Sequence, residues 1–527
     1  MPPATLATFF ALDWAVLAGY FMLLAGTGYL FSRREQKSTD DYFLAGRRMP
    51  MWAVAVSIVA TSMSAASFVG VPQQGYAGDL TYLSTNLGMI IAAVIVALVF
   101  IPAFYRAGVS SIYALLADRF SPTAMRAASL AFLVGRVMAS GARIYIGAIP
   151  LSLVLFGVER GMEPGNLLIA IAVLTAVGIT YTFIGGIASV IWTDVIQMTV
   201  LLSAAMIAIV VILSRIEAPW ADVIGALRAG GENGADKLTL LDTNPDPRLP
   251  FGLLTATIGF AVMGIGSYGT DQDLVQRMLT CKDAKAGSRS VITGILLGIP
   301  SVLVFLVVGL LLFVYYRRPE LMGAAAPGGL PADDRQVFLE FILKELPAGL
   351  PGLMMAGLFA AGLSSLNSAI NAMSSSMVSD FYRHARPDRP PAHYVLVGRI
   401  GVVGFGLILG SFAVLCVFWQ AASADRGGTL LTFALRVMTF AYSGLVGVFL
   451  AALLTKRGNA ASVIASLISG FMLVLALEEA VWVALLGDDE QLPERLESLT
   501  SLAFAWKLTV AAAISFGIAV LPSEKPQ

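Results

Sequence analysis

The stretch AGLSSLNS, residues 361–368, sets Ser364, Ser365, Asn367 and Ser368 inside an apolar segment running from Gly349 to about Val378. A bilayer offers no water to satisfy such groups, so a polar cluster at that depth is buried against protein or lines a cavity. At helical spacing Ala361, Ser364, Ser365 and Ser368 share one face, at i, i+3, i+4 and i+7. Hydroxyls and a carbonyl on one stripe supply hard, uncharged oxygens. That donor set suits a weakly held alkali cation, whereas a transition metal would draw on His or Cys. A single serine in such a helix permits close packing of neighbours; a cluster of this size points to a bound ion.

The elements that must position this stripe follow from composition. The 527 residues are 57% hydrophobic and only 13% charged, and a soluble chain would carry about twice that charge. Basic and acidic residues both number 34, so no charge excess points to nucleic acid. The GxxxxGK[ST] phosphate loop is missing, which argues against a nucleotide partner. Cys281 and Cys416 are too few and too scattered for a disulfide framework or a zinc site, and His384 and His393 share one polar loop. These features describe a membrane protein that is not an enzyme.

Apolar runs of about twenty residues predict an all-α polytopic protein with thirteen spans. They lie near 11–31, 50–73, 81–105, 124–156, 163–184, 189–214, 251–276, 289–316, 349–381, 394–420, 428–454, 460–485 and 500–521. The first lacks a basic start, carries Asp13 and is followed by Arg33 and Arg34 with no small-residue cleavage site, so it reads as a retained helix. With the N-terminus outside, the inside loops hold Arg33, Arg34, Lys37, Arg47, Arg48, Arg106, Arg119, Arg277, Lys282, Lys285, Arg289, Arg383, Arg386, Arg389, Lys456, Arg457 and Lys525. That excess predicts N-out and C-in topology, in a plasma membrane or the inner membrane of a bacterium.

Two spans look interrupted. The centre of the second is ATSMSAAS (60–67), small and polar. The seventh carries Gly259, Gly264, Gly266 and Gly269, then Asp271 and Asp273, and clustered glycines invite a break. Five spans run from the second to the sixth and five from the seventh to the eleventh. An odd number reverses orientation, so the halves form an inverted repeat, each opening on a broken helix beside the central site. The expected organisation is 1–49, an extra helix and inside loop; 50–214, the first repeat; 215–250, an outside loop; 251–455, the second repeat; and 456–527, two further helices and a tail.

DYFLAGRR (41–48), the serine-rich second span, YTFIGGIASVIWTDVIQ (181–197), TDQDLVQR (270–277) and AGLSSLNS together resemble the sodium:solute symporter family, in order and spacing along essentially the whole chain. The resemblance implies a leucine-transporter-type inverted-repeat fold and uptake driven by sodium. It implies a main sodium site from the carbonyls of Ala60, Met63 and Ala361 and the hydroxyls of Ser364 and Ser365. A second site, present in some branches, maps to Asp194, Ser364, Asn367 and Ser368, with Asn367 standing where such branches have a hydroxyl. Asp194 is the carboxylate well inside the sixth span; unpaired it would cost several kcal/mol, so a cation, a proton or a polar network must compensate it.

Substrate contacts implied by the family fall on Ser62, Ser64, Ser67, Tyr82, Asn86, Gly264, Ser267 and Tyr268. Hydroxyls and helix starts suit a carboxylate. The sugar-carrying branch has a glutamine at the position of Ser67 and an acid at that of Asn86, and neither is present here. On the fourth span Arg136 and Arg143 lie seven residues apart and share a face, and arginine binds carboxylates in a planar fork. Arg436 and Lys507 read as structural, and Glu478 and Glu479 as solvated near the outer surface. Residues 334–346 have the spacing of a short interfacial helix, and DYFLAGRR is expected to dock the first broken helix.

The expected function is sodium-coupled import of a small polar or carboxylate-bearing solute. The alternatives are proton coupling through Asp194, or a sensor or channel on the same scaffold. One charge crossing about 100 mV releases roughly 2.3 kcal/mol, and a tenfold gradient adds about 1.4 kcal/mol. One sodium could thus concentrate a neutral solute roughly 500-fold, whereas a monoanion forfeits the voltage contribution.

Overall fold

In the computed structural model, described over residues 9–32, 38–157, 160–230, 234–323, 326–327, 329–331, 334–422, 430–479, 481–482 and 494–521, the chain is mostly helical. The main helices are α1 (Ala11–Ser32), α2 (Met51–Ser62), α3 (Ala65–Ala77), α4 (Thr81–Ala107), α5 (Pro122–Phe156), α6 (Pro164–Leu213) and α7 (Phe260–Ile265). They continue with α8 (Gln272–Leu279), α9 (Ala284–Arg317), α10 (Leu350–Ser376), α11 (Pro391–Ala422), α12 (Leu430–Leu454), α13 (Ala460–Ala476) and α14 (Phe504–Val520). Among the described residues the only β pairing is an isolated bridge between Asp242 and Gly252. Among the described residues seven helices are long and apolar enough to cross a membrane, or eight if Thr39–Arg47 and Met51–Ser62, bent by 112°, form one span. Leu98, Val210, Leu407 and Leu415 are exposed on these helices, as expected of surfaces whose solvent is lipid.

The first interruption falls where the sequence places it. Met63 (φ −84°, ψ 107°) and Ser64 (φ −106°, ψ 179°) leave the helix between α2 and α3. The second falls past the glycines expected to cause it. The chain stays helical through Gly264 and passes Gly266 and Gly269 in a π turn, Gly266–Thr270. It breaks at Asp271 (φ −101°, ψ 115°), whose carboxylate accepts from Asp273 N at 3.0 Å and caps α8. The glycines serve close packing instead. A Cβ at Gly264 would lie 2.5 Å from Ala92 Cβ, and one at Gly266 2.7 Å from Tyr442 Cβ.

The fifth and sixth expected spans lie in one helical run, α6, turned at Gly186 (φ 58°, ψ −174°), a backbone state that glycine tolerates. α10, which carries the serine stripe, packs against α6, α1 and α5. Its N-terminus is capped from α1: Asp13, fully buried, accepts from Gly349 N at 2.7 Å and Gly352 N at 3.0 Å. A carboxylate there satisfies backbone donors left over at a helix start and complements its dipole.

Several expectations change. Arg277, counted above among inside-loop cations, is fully buried in α8. Glu478, expected to be solvated, is buried and pairs with Arg436 (2.6 Å) and Lys507 (3.4 Å), which sit on α12 and α14. The DYFLAGRR segment hydrogen-bonds to α8 rather than α2, through Gln276 Nε2 to Phe43 O at 2.7 Å. The helix expected over 334–346 forms at Val337–Glu345 but is buried, with Phe338 stacked 5.1 Å from Phe68 of α3. Arg33, Arg34, Lys37 and Lys525 lie outside the described residues.

Candidate functional site

The break after α2 frees backbone oxygens. Ser64 N donates to Ser67 Oγ at 3.3 Å, not back to Ala60, and Ser67 N donates to Ser64 O at 2.8 Å, not to Met63. The carbonyls of Ala60 and Met63 are thereby released from helical pairing. The stripe on α10 faces this end of α2: Ser365 Oγ donates to Thr61 O at 3.2 Å, and Ser368 Oγ lies 3.5 Å from Thr61 Oγ1. Ala60, Met63, Ala361, Ser364 and Ser365 are all buried. The opened end of α2 and the serine stripe of α10 thus meet at Thr61, with buried oxygens on both sides.

Beside it, α6 delivers Asp194, fully buried. Its carboxylate accepts from Ser364 Oγ at 2.6 Å and Ser57 Oγ at 2.5 Å, and pairs with Arg277 Nη2 at 3.3 Å. Arg277 also donates through Nε to Ser57 Oγ (2.8 Å), through Nη1 to Asp273 Oδ1 (2.9 Å) and through Nη2 to Ser368 Oγ. Asn367 turns its carbonyl to Thr182, whose hydroxyl donates to it at 3.0 Å. Asp194, Ser364 and Ser368 of the expected second sodium site are therefore gathered around Arg277, while Asn367 bonds Thr182 instead. Arg277 was missed as a site residue because it was counted as a loop charge. The available signal was its i, i+4 spacing from Asp273, which marks a helical ion pair.

A cavity of about 140 Å³ opens next to the α2–α3 break. Ser62, Ser64, Ser67, Tyr82, Asn86, Arg136, Arg143, Ser267 and Tyr268 all line it. Ser62 Oγ and Tyr268 OH meet at 3.2 Å across its wall. Gly264 is set apart, packed on Ala92 and Met89 of α4. Met438 and Tyr442 of α12 also line the cavity; nothing in their apolar span distinguished them from ordinary core.

The two arginines of α5 have different surroundings. Arg136 is buried and tied to Asp271 Oδ2 and, at 3.3 Å, to Asp273 Oδ2. Tyr442 OH donates to the same Asp271 oxygen at 3.0 Å. Arg143, about 10 Å further along the helix by rise per residue, is half-buried and points Nη2 at Met438 Sδ, 3.1 Å away. Among the described residues it makes no ion pair. One guanidinium at the cavity is thus committed to protein carboxylates and the other is open to a ligand.

Comparison with known proteins decides the family. The model of the sodium:solute symporter family matches residues 42–470. This chain belongs to that family. It is 30% identical over 536 residues to the human sodium/iodide cotransporter, covering 98% of this chain and 76% of that one. It is also 30% identical over 482 residues to the sodium/sialic acid symporter of Proteus mirabilis (strain HI4320), covering 88% and 89%. A solved Na⁺-coupled sialic acid symporter, in a substrate-bound outward-open state with a novel Na⁺ site, superposes with a TM-score of 0.76 at 27% identity, over 97% of this chain and 98% of that one. The chain is a membrane symporter that uses sodium to move a small molecule, not an enzyme.

Proposed function

We propose that this protein imports a small carboxylate-bearing solute by alternating access, with sodium held by Ala60, Met63 and Ala361 carbonyls and Ser364 and Ser365 hydroxyls. The carrying observation is Arg143, a cavity-lining guanidinium that makes no ion pair among the described residues. A half-buried cation facing a cavity draws an anionic partner. Iodide and sialic acid, named for the relatives above, are both anions, which supports the same reading.

The topology we propose has thirteen spans. Seven are the long apolar helices and four the shorter ones at Ala11–Thr27, Pro164–Thr180, Ala460–Ala476 and Phe504–Val520. The remaining two are the interrupted spans α2–α3 and α7–α8. Residues 50–214 and 251–455 form inverted five-helix repeats, framed by 1–49, the loop 215–250 and the C-terminal part 456–527, with the N-terminus outside and the C-terminus inside. The ion bridges α2 of one repeat and α10 of the other, so its release accompanies their separation as the site opens inward.

Reconstitution in proteoliposomes tests the reading. An inward sodium gradient should drive uptake from a panel of labelled organic acids and not of their uncharged amides. Ser365→Ala, which removes one ion ligand and the bond to Thr61 O, should abolish sodium dependence. Uptake that persists unchanged in this variant and follows pH would replace sodium with a proton as the coupling ion.

A further inference from the structure

The cavity beside the α2–α3 break limits what can bind there. Its volume is about 140 Å³, and an apolar cavity of roughly 150 Å³ is filled by benzene. Many of its polar groups are already spent within the protein. Ser62 Oγ donates to Ile58 O at 2.8 Å, so Tyr268 OH supplies the proton of the 3.2 Å contact between the two side chains. Thr85 Oγ1 donates to Tyr82 O at 2.7 Å, Asn86 Nδ2 to Leu83 O at 2.9 Å and Tyr442 OH to Asp271 Oδ2 at 3.0 Å. Much of the remaining lining is apolar: Val71, Met89, Phe260, Met263, Val302 and Leu435.

We propose that the substrate is a short monocarboxylate with an apolar tail, of about six to nine non-hydrogen atoms, and that Met438 limits its size at the charged end. The proposal rests on the carboxylate reading above and adds the character of the rest of the molecule. One carboxylate is all the cavity can match, because Arg136 is already bound to Asp271 and Asp273 and only Arg143 is open. A second carboxylate would lie among apolar side chains or near Asp273, where an unmatched charge is strongly disfavoured. A polyhydroxylated acid would have to break the bonds of Ser62, Thr85 and Tyr268 to satisfy its own hydroxyls, and one the size of sialic acid exceeds the space. At the charged end Met438 Sδ stands 3.1 Å from Arg143 Nη2. A thioether is a weak acceptor, so the guanidinium gives up little when a carboxylate takes its place, while the methionine side chain still bounds the room beside it.

Isothermal titration of the purified full chain in sodium buffer tests this with straight-chain acids from acetate to octanoate, their amides, benzoate, succinate, gluconate and sialic acid. The Kd should fall about fourfold for each added methylene, the equivalent of ~0.8 kcal/mol per buried CH₂, until the cavity is full, and then rise sharply. Benzoate should bind, and succinate, gluconate and sialic acid should not compete with it. Met438→Ala should move the optimum to longer acids, and an unchanged optimum in that variant would overturn its part in the size limit. A Kd that does not vary with chain length, or tightest binding by succinate, gluconate or sialic acid, would overturn the proposal and leave the carboxylate reading standing. If no acid binds, or if the amides bind as tightly as the acids, the carboxylate reading itself fails and takes this one with it.

Discussion

Replacing Arg143 with glutamine isolates the recognition of the substrate's charge. The side chain lines the cavity, its guanidinium rests on Met438 Sδ, and it makes no ion pair among the described residues. Glutamine keeps a polar group of similar reach and removes only the charge and the fork geometry. Hydrogen bonds to a charged partner contribute about 1.5–3 kcal/mol net, which corresponds to roughly a 10- to 150-fold rise in apparent KM. The assay is sodium-driven uptake of an acid and of its amide by the same proteoliposomes at a fixed gradient. The acid should lose affinity over that range while the amide changes by less than about twofold, since it gains little from the fork. Thermal unfolding should stay close to that of the unmodified chain, because no protein carboxylate is orphaned. Equal losses for acid and amide, or a large drop in Tm, would show that Arg143 supports the wall instead of reading charge.

Arg136→Gln should behave in the opposite way. It removes the arginine partner of Asp271 and one of the two arginine partners of Asp273 in a buried setting, at a cost of about 3–5 kcal/mol, so the expected outcome is a marked fall in Tm with substrate selectivity retained in whatever remains folded. Asp13→Ala removes the acceptor for Gly349 N and Gly352 N and should destabilise by about 1–2 kcal/mol, with Asp13→Asn recovering much of that loss; thermal unfolding of the purified variants checks both. Glu478→Gln weakens the pairs to Arg436 and Lys507 and should lower Tm while leaving the sodium dependence of uptake unchanged.

The buried serine stripe was legible because its signal is chemical: serines at helical spacing in an apolar segment have few explanations, and Ser365 does meet the end of α2 at Thr61 O while Ser364 meets Asp194 of α6. The break at Met63 was legible for the same reason, through small polar residues where lipid-facing side chains belong. Charges were harder to place. A rule that assigns Lys and Arg to loops carries no information about partners, so Arg277 at the end of an apolar run was read as topology when its charge is matched by Asp194 and Asp273 inside the fold. Glu478 was misplaced likewise, because its partners Arg436 and Lys507 are distant in sequence. The glycines of the seventh span read from sequence as weakness in the helix, while Gly264, Gly266 and Gly269 are in contact with Ala92, Tyr442 and Phe100, visible only once the neighbouring helices are in place. Several charges inside spans of this chain do have buried counter-charges, and following them from Asp194 leads through Arg277 and Asp273 to Arg136. The same path joins Ser364, proposed above as a sodium ligand, to Asp273 and Arg136 in the cavity wall, a physical route by which the proposed ion and solute sites would sense one another.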